Sequence, residues 1–485
     1  MDENKKFYNR KESENRMFYI TTAIPYVNGK PHIGHALEYF QADTVRNYQK
    51  LLGKATLLLS GADENALKNV QAAEKEGTPI QDFLDKNSEV FRSAFEKLGV
   101  KIDVFERGSD SLSHFPGVQK LWNLCLENGD IYKKEYTGLY CVGCESFKTE
   151  TDLIDGKCPD HLTVPEKITE ENYFFKLSNY QKILLEKIES NEIKIIPENK
   201  KSEIVSFISS GLEDFSISRS KERAKGVGVP VPGDPNQVMY VWFDALAIYI
   251  TGIGYGTDEE KFQKWWPADV HVIGKDINRF HTVYWPAMLL SAKLPLPKCV
   301  LIHGFITSNG QKMSKTLGNV IDPFEMVEKF GLEPFRYFLL SQIPTNDDGD
   351  FTQERFKEVY TSELSNGLGN LVARVAKLAE NNNISIDPYN NSFVPEVEDD
   401  LKDFRFNIAI QRIRGIIAAL DKSVNESKPW ELKGDEAVNV ITVLSKGVQQ
   451  VAFNLQPFLP ETARKILNQF SGEIKSSSPL FPRLG

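Results

Sequence analysis

Cysteine is scarce: the 485-residue chain holds five. So small and odd a number does not build a disulfide framework. Long clean apolar runs are also missing. The nearest, YVWFDALAIYITGIGYG (240–256), carries Asp244 and three glycines, which argues against a membrane span. The first residues, MDENKKFYNRKESENRMF, are polar and lack the apolar core of a secretory signal, so a cytoplasmic location is expected. Neither G-x-x-x-x-G-K-[ST] nor G-x-G-x-x-G occurs, which sets aside a P-loop and a dinucleotide fingerprint. There is no internal repeat and no low-complexity tract. Basic residues fall short of acidic ones, 58 against 67, for a net charge of −9. That disfavours indiscriminate nucleic-acid binding and leaves room for a local basic stripe.

What is present is an ordinary globular composition, 41% hydrophobic and 26% charged, over a length suited to several domains. RMFYITTA (16–23) reads as a buried strand, followed by a turn at Asn28-Gly29. Ile33, Ala36, Leu37, Phe40, Thr44, Tyr48 and Leu51 then recur at helical spacing until Gly53, and ATLLLSGAD (55–63) reads as a second strand. Strand, helix, strand is a βαβ unit and predicts a parallel sheet. The pattern breaks over 129–238, and sheet character returns at MYVWFDALAIYI, DVHVIGKDI and KCVLIHGFI. From 352 onward the reading is almost wholly helical.

Three clusters carry chemistry. His32 and His35 stand at the first turn of the predicted helix, where free N–H groups and the positive dipole end favour anions. Gly34 between them lets a ligand approach the backbone. Two surface histidines near a cap are the plain alternative. GQKMSKTLGN (310–319) puts Lys312 and Lys315 in a Gly/Ser/Asn-rich loop, fit to follow a phosphate or simply to be solvated. Cys141-x-x-Cys144 and Cys158-x-x-His161 are two chelating pairs separated by thirteen residues, the pattern of a filled tetrahedral zinc site and hence a structural one. Cys125 and Cys299 fall outside it and read as buried thiols. After Gly274, residues Ile277, His281, Tyr284, Trp285 and Met288 would share one helix face, with polar His281 as part of a pocket wall.

His-Ile-Gly-His early and Lys-Met-Ser-Lys late on a doubly wound domain resemble the two signatures of class I aminoacyl-tRNA synthetases. TTAIPYVNGKPHIGH, YVWFDALAIYI, HVIGKDINRFHTVYWPAML and HGFITSNGQKMSKTLGNVIDP extend the resemblance, over nearly the whole chain, to the methionyl-tRNA synthetase family. The resemblance implies an α/β fold. A Rossmann-like parallel-sheet catalytic domain would be split into 1–128 (with a flexible leader over 1–15) and 239–351. Between the halves would lie an inserted module, 129–238, with a zinc knuckle at 141–161, and after them an all-α anticodon-binding bundle, 352–485. It implies ATP-dependent ligation of L-methionine to tRNA(Met), initiator tRNA included, through methionyl-adenylate, with one structural Zn²⁺ per chain and Mg²⁺ accompanying ATP. His32, His35, Lys312 and Lys315 would be catalytic; Gly34, Gly274, Asp276 and Lys315 would meet ATP. Ile24, Tyr26, Trp242, Ala245, Tyr249, Ile277 and His281 would surround the methionine side chain, and Asp63 its ammonium group. Asn370, Arg374 and Trp430 would read the CAU anticodon; spacing alone reads them as a cap, a surface arginine and a packed indole.

The chain departs from that family's pattern in two places. Thr316 stands where serine is more frequent, with the hydroxyl kept, and Asn65-Ala66 stand where His-Gly is usual. The insert is too short for a hydrolytic editing module, and none is expected. The sequence ends with PLFPRLG, so no appended RNA-binding domain is expected and a monomer is favoured. Other readings use part of these features. A synthetase for another aliphatic amino acid would want a larger insert and no tight aromatic pocket. A small-molecule nucleotidyltransferase would have no use for the bundle, and a silent tRNA-binding protein would have broken signatures.

Overall fold

The structure, a computed structural model, describes residues 17–484 apart from 142–145, 149, 160–161, 314–318 and 391. The leader expected over 1–15 lies outside the described residues. The chain divides into two compact units, one of Met1–Pro31 with Lys54–Ile302 and one of His32–Gly53 with His303–Gly485.

In chain order, the elements that matter for the site are β1 (Met17–Thr22), α1 (Ile33–Leu51), β2 (Ala55–Ala62), β3 (Val104–Arg107), α2 (Phe115–Glu127), β4 (Lys194–Ile196), α3 (Val241–Thr251), β5 (Val270–Gly274) and β6 (Cys299–His303). The six strands form one sheet in the order β3-β2-β1-β5-β6-β4. β1 runs parallel to β2 and β5, β3 parallel to β2, and β4 parallel to β6. Strands buried on both faces read as continuous apolar runs, and VHVIG and CVLIH are buried at every position. The Rossmann-like parallel sheet is therefore present as expected. β4 is a three-residue edge strand inside the stretch 129–238, too short to leave a periodic signal.

From Val241 onward MYVWFDALAIYI is helix, not the strand its composition predicts. All eleven residues of α3 are buried, and a run that is apolar on every side has no period to separate helix from strand. The regular helix predicted after Gly274 is also revised. Lys275–Ile277 is a 3₁₀ turn, Phe280–Tyr284 is π-type and Trp285–Ser291 is α-helical, so the five residues do not lie on one regular helix. Such π segments are rare and occur often at functional sites.

The same unit contains a four-stranded antiparallel sheet, in the order Ser146–Lys148, Ile131–Cys141, Glu166–Phe175 and Phe215–Ser216. Its long pair runs in register from Ile131↔Phe175 to Tyr140↔Glu166.

The second unit is mostly helical. It includes α4 (Leu332–Gln342), α5 (Asn370–Asn381), α6 (Phe406–Ser427) and α7 (Gly434–Leu455). On α5, Leu371, Val372, Val375, Ala376 and Ala379 are buried, the apolar stripe expected of a helix on a core. α1 packs on α4 through Phe40 and Phe335, whose rings lie edge to face at 6.0 Å. Beside them Arg336, 2% exposed, pairs with Asp43 at 2.6 Å. Its Nε donates to the Phe458 carbonyl at 2.6 Å. Among the described residues, no helix is long and apolar enough to cross a membrane.

Candidate active site

Strand order reverses between β1 and β5, the place in an open parallel sheet where connections part and ligands lodge. Ile24 and Tyr26 follow β1, Asp63 follows β2, and Gly274 ends β5. Tyr26 and Asp63 form a β-bridge, with the Asp63 N–H donating to the Pro25 carbonyl at 2.9 Å. The Tyr26 ring meets Trp242 edge-on at 6.2 Å, and Trp242 lies flat on Phe280 at 3.8 Å and 8°. Trp242, Ala245 and Tyr249 recur at i, i+3 and i+7 on α3, one face of that helix. The Tyr249 hydroxyl and His281 Nε2 are 2.8 Å apart, and His281 Nδ1 is 3.0 Å from the Ile277 carbonyl.

The Ile277 carbonyl only accepts, so His281 carries its proton on Nδ1 and Nε2 accepts from Tyr249. Burial pulls the His281 pKa down to about 4, so this wall is uncharged at neutral pH. Tyr249 is held in turn by the Tyr19 hydroxyl, which donates to its carbonyl at 2.7 Å. The expected residues thus fall into two contact groups, Asp63–Tyr26–Trp242 and Tyr249–His281–Ile277. Ala245 is buried on the same helix face, Ile24 packs on the same core, and Asp276 is exposed beyond Gly274.

The second unit holds the histidine pair. His32 is the extended N-cap of α1, and its Nδ1 accepts from the Gly34 N–H at 3.1 Å. His35 Nδ1 accepts from the His32 N–H at 3.1 Å. Together they make a capping box in which imidazoles replace the usual Ser and Glu. With both Nδ1 atoms accepting, each neutral ring carries its proton on Nε2. The rings lie 3.9 Å apart. A side chain at residue 34 would put its Cβ 3.0 Å from the His32 ring, so glycine is what lets that ring fold back over the helix end. Although part of His32 stays open, its crowded ring is desolvated and faces His303, and its pKa falls to about 4. Burial, then His32 and His303, also lower that of His35.

Lys312 is exposed on a hairpin whose Gly310 N–H donates to Asp350 at 2.8 Å. Lys315 lies outside the described residues, as do Cys144 and His161. Of the four expected zinc ligands, Cys141 and Cys158 are described and buried, 1% and 0% exposed. Cys141 ends a strand opposite Ser146; Cys158 follows the Ile154–Lys157 bridge and opens a turn in which Leu162 N–H donates to its carbonyl at 2.7 Å. Among the described residues no group of three or more metal-ligand side chains is assembled. Cys125 and Cys299 are buried thiols whose pKa burial pushes up to about 12. In the bundle, Asn370 is exposed at the start of α5, and Arg374 pairs with Asp421 and donates to Asn425, both at 2.7 Å, on α6. Trp430 is 55% exposed.

Sequence reasoning missed Phe280, His303 and Glu38. His303 Nδ1 faces the Gly304 carbonyl at 2.8 Å and Nε2 faces Glu38 at 3.1 Å. His303 also adds to the lowering of the pKa of His32 and of His35. Glu38, at i+3 from His35 on α1, was the available signal; its partner 265 residues away was not.

The family described as tRNA synthetases class I (M) matches residues 18–164 and 151–376. The methionine–tRNA ligase of Brucella suis biovar 1 is 40% identical over 472 residues, covering 93% of this chain and 91% of the relative. That of Thermotoga maritima is 39% identical over 489 residues, covering 95% and 76%. Among solved structures, Mycobacterium tuberculosis methionyl-tRNA synthetase in complex with methionyl-adenylate aligns with TM-score 0.90 at 35% identity, covering 96% of this chain and all of that one. Its apo form aligns with TM-score 0.84 at 32% identity, over 97% and 98%. From these matches, the chain belongs to the class I tRNA synthetases, in the (M) family of the methionine–tRNA ligases.

Proposed function

We propose that the chain ligates L-methionine to tRNA(Met), initiator tRNA included, in two steps. A methionine carboxylate oxygen attacks the α-phosphorus of ATP, the bond to the bridging oxygen breaks, and pyrophosphate leaves methionyl-adenylate behind. A ribose hydroxyl at the tRNA 3′ end then attacks the adenylate carbonyl and AMP leaves. The observation that carries this reading is the match, over 96% of the chain, to a structure holding methionyl-adenylate.

The residues divide the work by chemistry. Trp242, Tyr249, Ile277 and His281 offer an apolar, uncharged lining to a thioether, for which aromatic edges are worth roughly 0.3–1.5 kcal/mol each. A protonated His281 would bury a charge beside sulfur, and its low pKa prevents that. Asp63 would take the ammonium group, Ile24, Tyr26 and Ala245 would complete the enclosure, and Gly274 and Asp276 would meet the nucleotide, Asp276 through ribose hydroxyls. His32 and His35 would donate Nε2–H to phosphate oxygens at the α1 N-terminus, where charge grows during reaction. Gly34 keeps that approach open. Lys312 and Lys315 would stabilise the leaving pyrophosphate, which travels with Mg²⁺. Asn370, Arg374 and Trp430 would recognise the anticodon by amide, guanidinium and indole contacts.

Zinc fits the residues present. Cys141 and Cys158 are buried thiols at the ends of two hairpins, and soft sulfur donors suit that metal. With Cys144 and His161 they would hold one ion, which when bound cross-links the hairpins. A cytoplasmic monomer is the form proposed.

ATP–pyrophosphate exchange without tRNA, run with each of the twenty amino acids, tests the reading. Exchange with methionine alone, lost in Lys315→Ala, supports it; exchange with leucine or valine instead overturns the pocket assignment. Metal analysis of the purified chain should find one zinc, lost in Cys158→Ser.

A further inference from the structure

Helix α3 has two functional faces. Trp242, Ala245 and Tyr249 face the pocket; Asp244 and Thr251, seven residues apart, lie together on the other side. There the Asp244 carboxylate, 1% exposed, receives two hydrogen bonds. Asn65 Nδ2 donates to Oδ2 at 2.6 Å, and His114 Nε2 donates to Oδ1 at 2.5 Å. His114 Nδ1 reaches the Thr251 hydroxyl at 2.7 Å, so one imidazole touches both the first and the last turn of the helix. The same Asn65 amide nitrogen also donates to the Gly108 carbonyl at 2.7 Å.

Hydroxyl, imidazole and carboxylate in that order resemble a nucleophilic triad. Thr251, His114 and Asp244 are, however, 2%, 0% and 1% exposed. No substrate reaches them. What the chain does is mechanical. Asn65 belongs to the loop of Asp63, Gly108 to the segment after β3, and His114 to the N-cap of α2. A Cβ at Gly117 would stand 2.3 Å from the Tyr255 carbonyl and 2.5 Å from Thr251 Cγ2. Glycine there lets α2 approach the end of α3 closely enough for His114 to span it.

We propose that Asn65 is a positioning residue for methionine recognition: through the Asp244–His114–Thr251 chain it sets the rotation and axial position of α3. That ties the face bearing Trp242, Ala245 and Tyr249 to the loop bearing Asp63. The distance between the thioether enclosure and the ammonium site is thereby fixed, and that distance separates methionine from side chains of similar volume. This rests on the function proposed above. A buried carboxylate needs charge-assisted donors, so removing one lets the helix settle differently.

The test compares wild type, Asn65→Ala, Asn65→His and Thr251→Val in ATP–pyrophosphate exchange with methionine and with norleucine. Asn65→Ala should raise the KM for methionine by about tenfold or more, since misplacement of about one ångström costs up to a hundredfold. It should also narrow the preference for methionine over norleucine, while kcat and the KM for ATP stay close to wild type. Asn65→His, whose imidazole can still donate to Asp244, should restore most of the preference. Thr251→Val removes one hydroxyl at constant volume and should shift the same two quantities in the same direction; it decides the matter if Asn65→Ala does not fold. Unchanged methionine KM and preference in a folded Asn65→Ala overturn the inference, as does a parallel loss of kcat and ATP affinity. A wild type inactive with methionine would instead overturn the proposed function itself.

Discussion

Lowering the pH from 7 to 5 should destabilise the first unit, and His281 gives the effect a size. Burial holds its pKa at about 4, against about 6.5 for an unfolded histidine. The folded pKa is the lower one, so the unfolded chain binds the proton first. Stability is therefore complete above about pH 6.5, falls as pH drops through that value, and levels off below about 4. At pH 5 the unfolded imidazole is almost wholly charged while the folded one stays mostly neutral, which removes about 2 kcal/mol. His271, fully buried on β5, is lowered well below its ordinary value and adds in the same direction. Glu106, raised by burial, works the other way near its own lower range. Urea denaturation at the two pH values, in wild type and His281→Gln, separates the contribution. The variant should lose about 2 kcal/mol less between pH 7 and pH 5. An equal loss in both proteins refutes the neutral-histidine argument.

Other expectations follow from single contacts. Gly34→Ala places a Cβ 3.0 Å from the His32 ring, so exchange should fall at least about tenfold with methionine KM little changed, read by steady-state kinetics. Arg336→Met leaves Asp43 buried without its cation and should cost about 3–5 kcal/mol in chemical denaturation. Trp430→Ala removes an exposed indole and should lower tRNA charging by about tenfold or more, the value of one lost stacking contact, with amino-acid-dependent exchange unchanged.

The sequence made the parallel sheet legible because β1, α1 and β2 carry their periods plainly, and the histidine signature stands at a helix N-terminus. It hid α3, because a helix buried on all sides looks like any apolar run. It hid the π turn after Gly274 because periodicity assumes a regular helix. Within the site, residue types were readable but pairings were not. Nothing near His35 announces that Glu38 meets His303, and nothing in DENA announces that Asn65 meets Asp244, 179 residues on. The departure at Asn65 was visible, but its purpose became visible only when the fold supplied the carboxylate it serves.

The imidazole capping box gives each signature histidine two occupations, one per ring nitrogen. Nδ1 belongs to the backbone of α1, and Nε2 is left for chemistry. Replacement by alanine removes both at once, so an inactive His32→Ala confounds a frayed helix with a missing donor. Amides can divide the two. Asparagine places its oxygen where Nδ1 sits and is itself among the favoured N-caps, while glutamine extends an N–H to the position of Nε2. A helix that stays formed in His32→Asn while turnover collapses would assign the ring's outer nitrogen to catalysis and its inner one to architecture, within a single side chain.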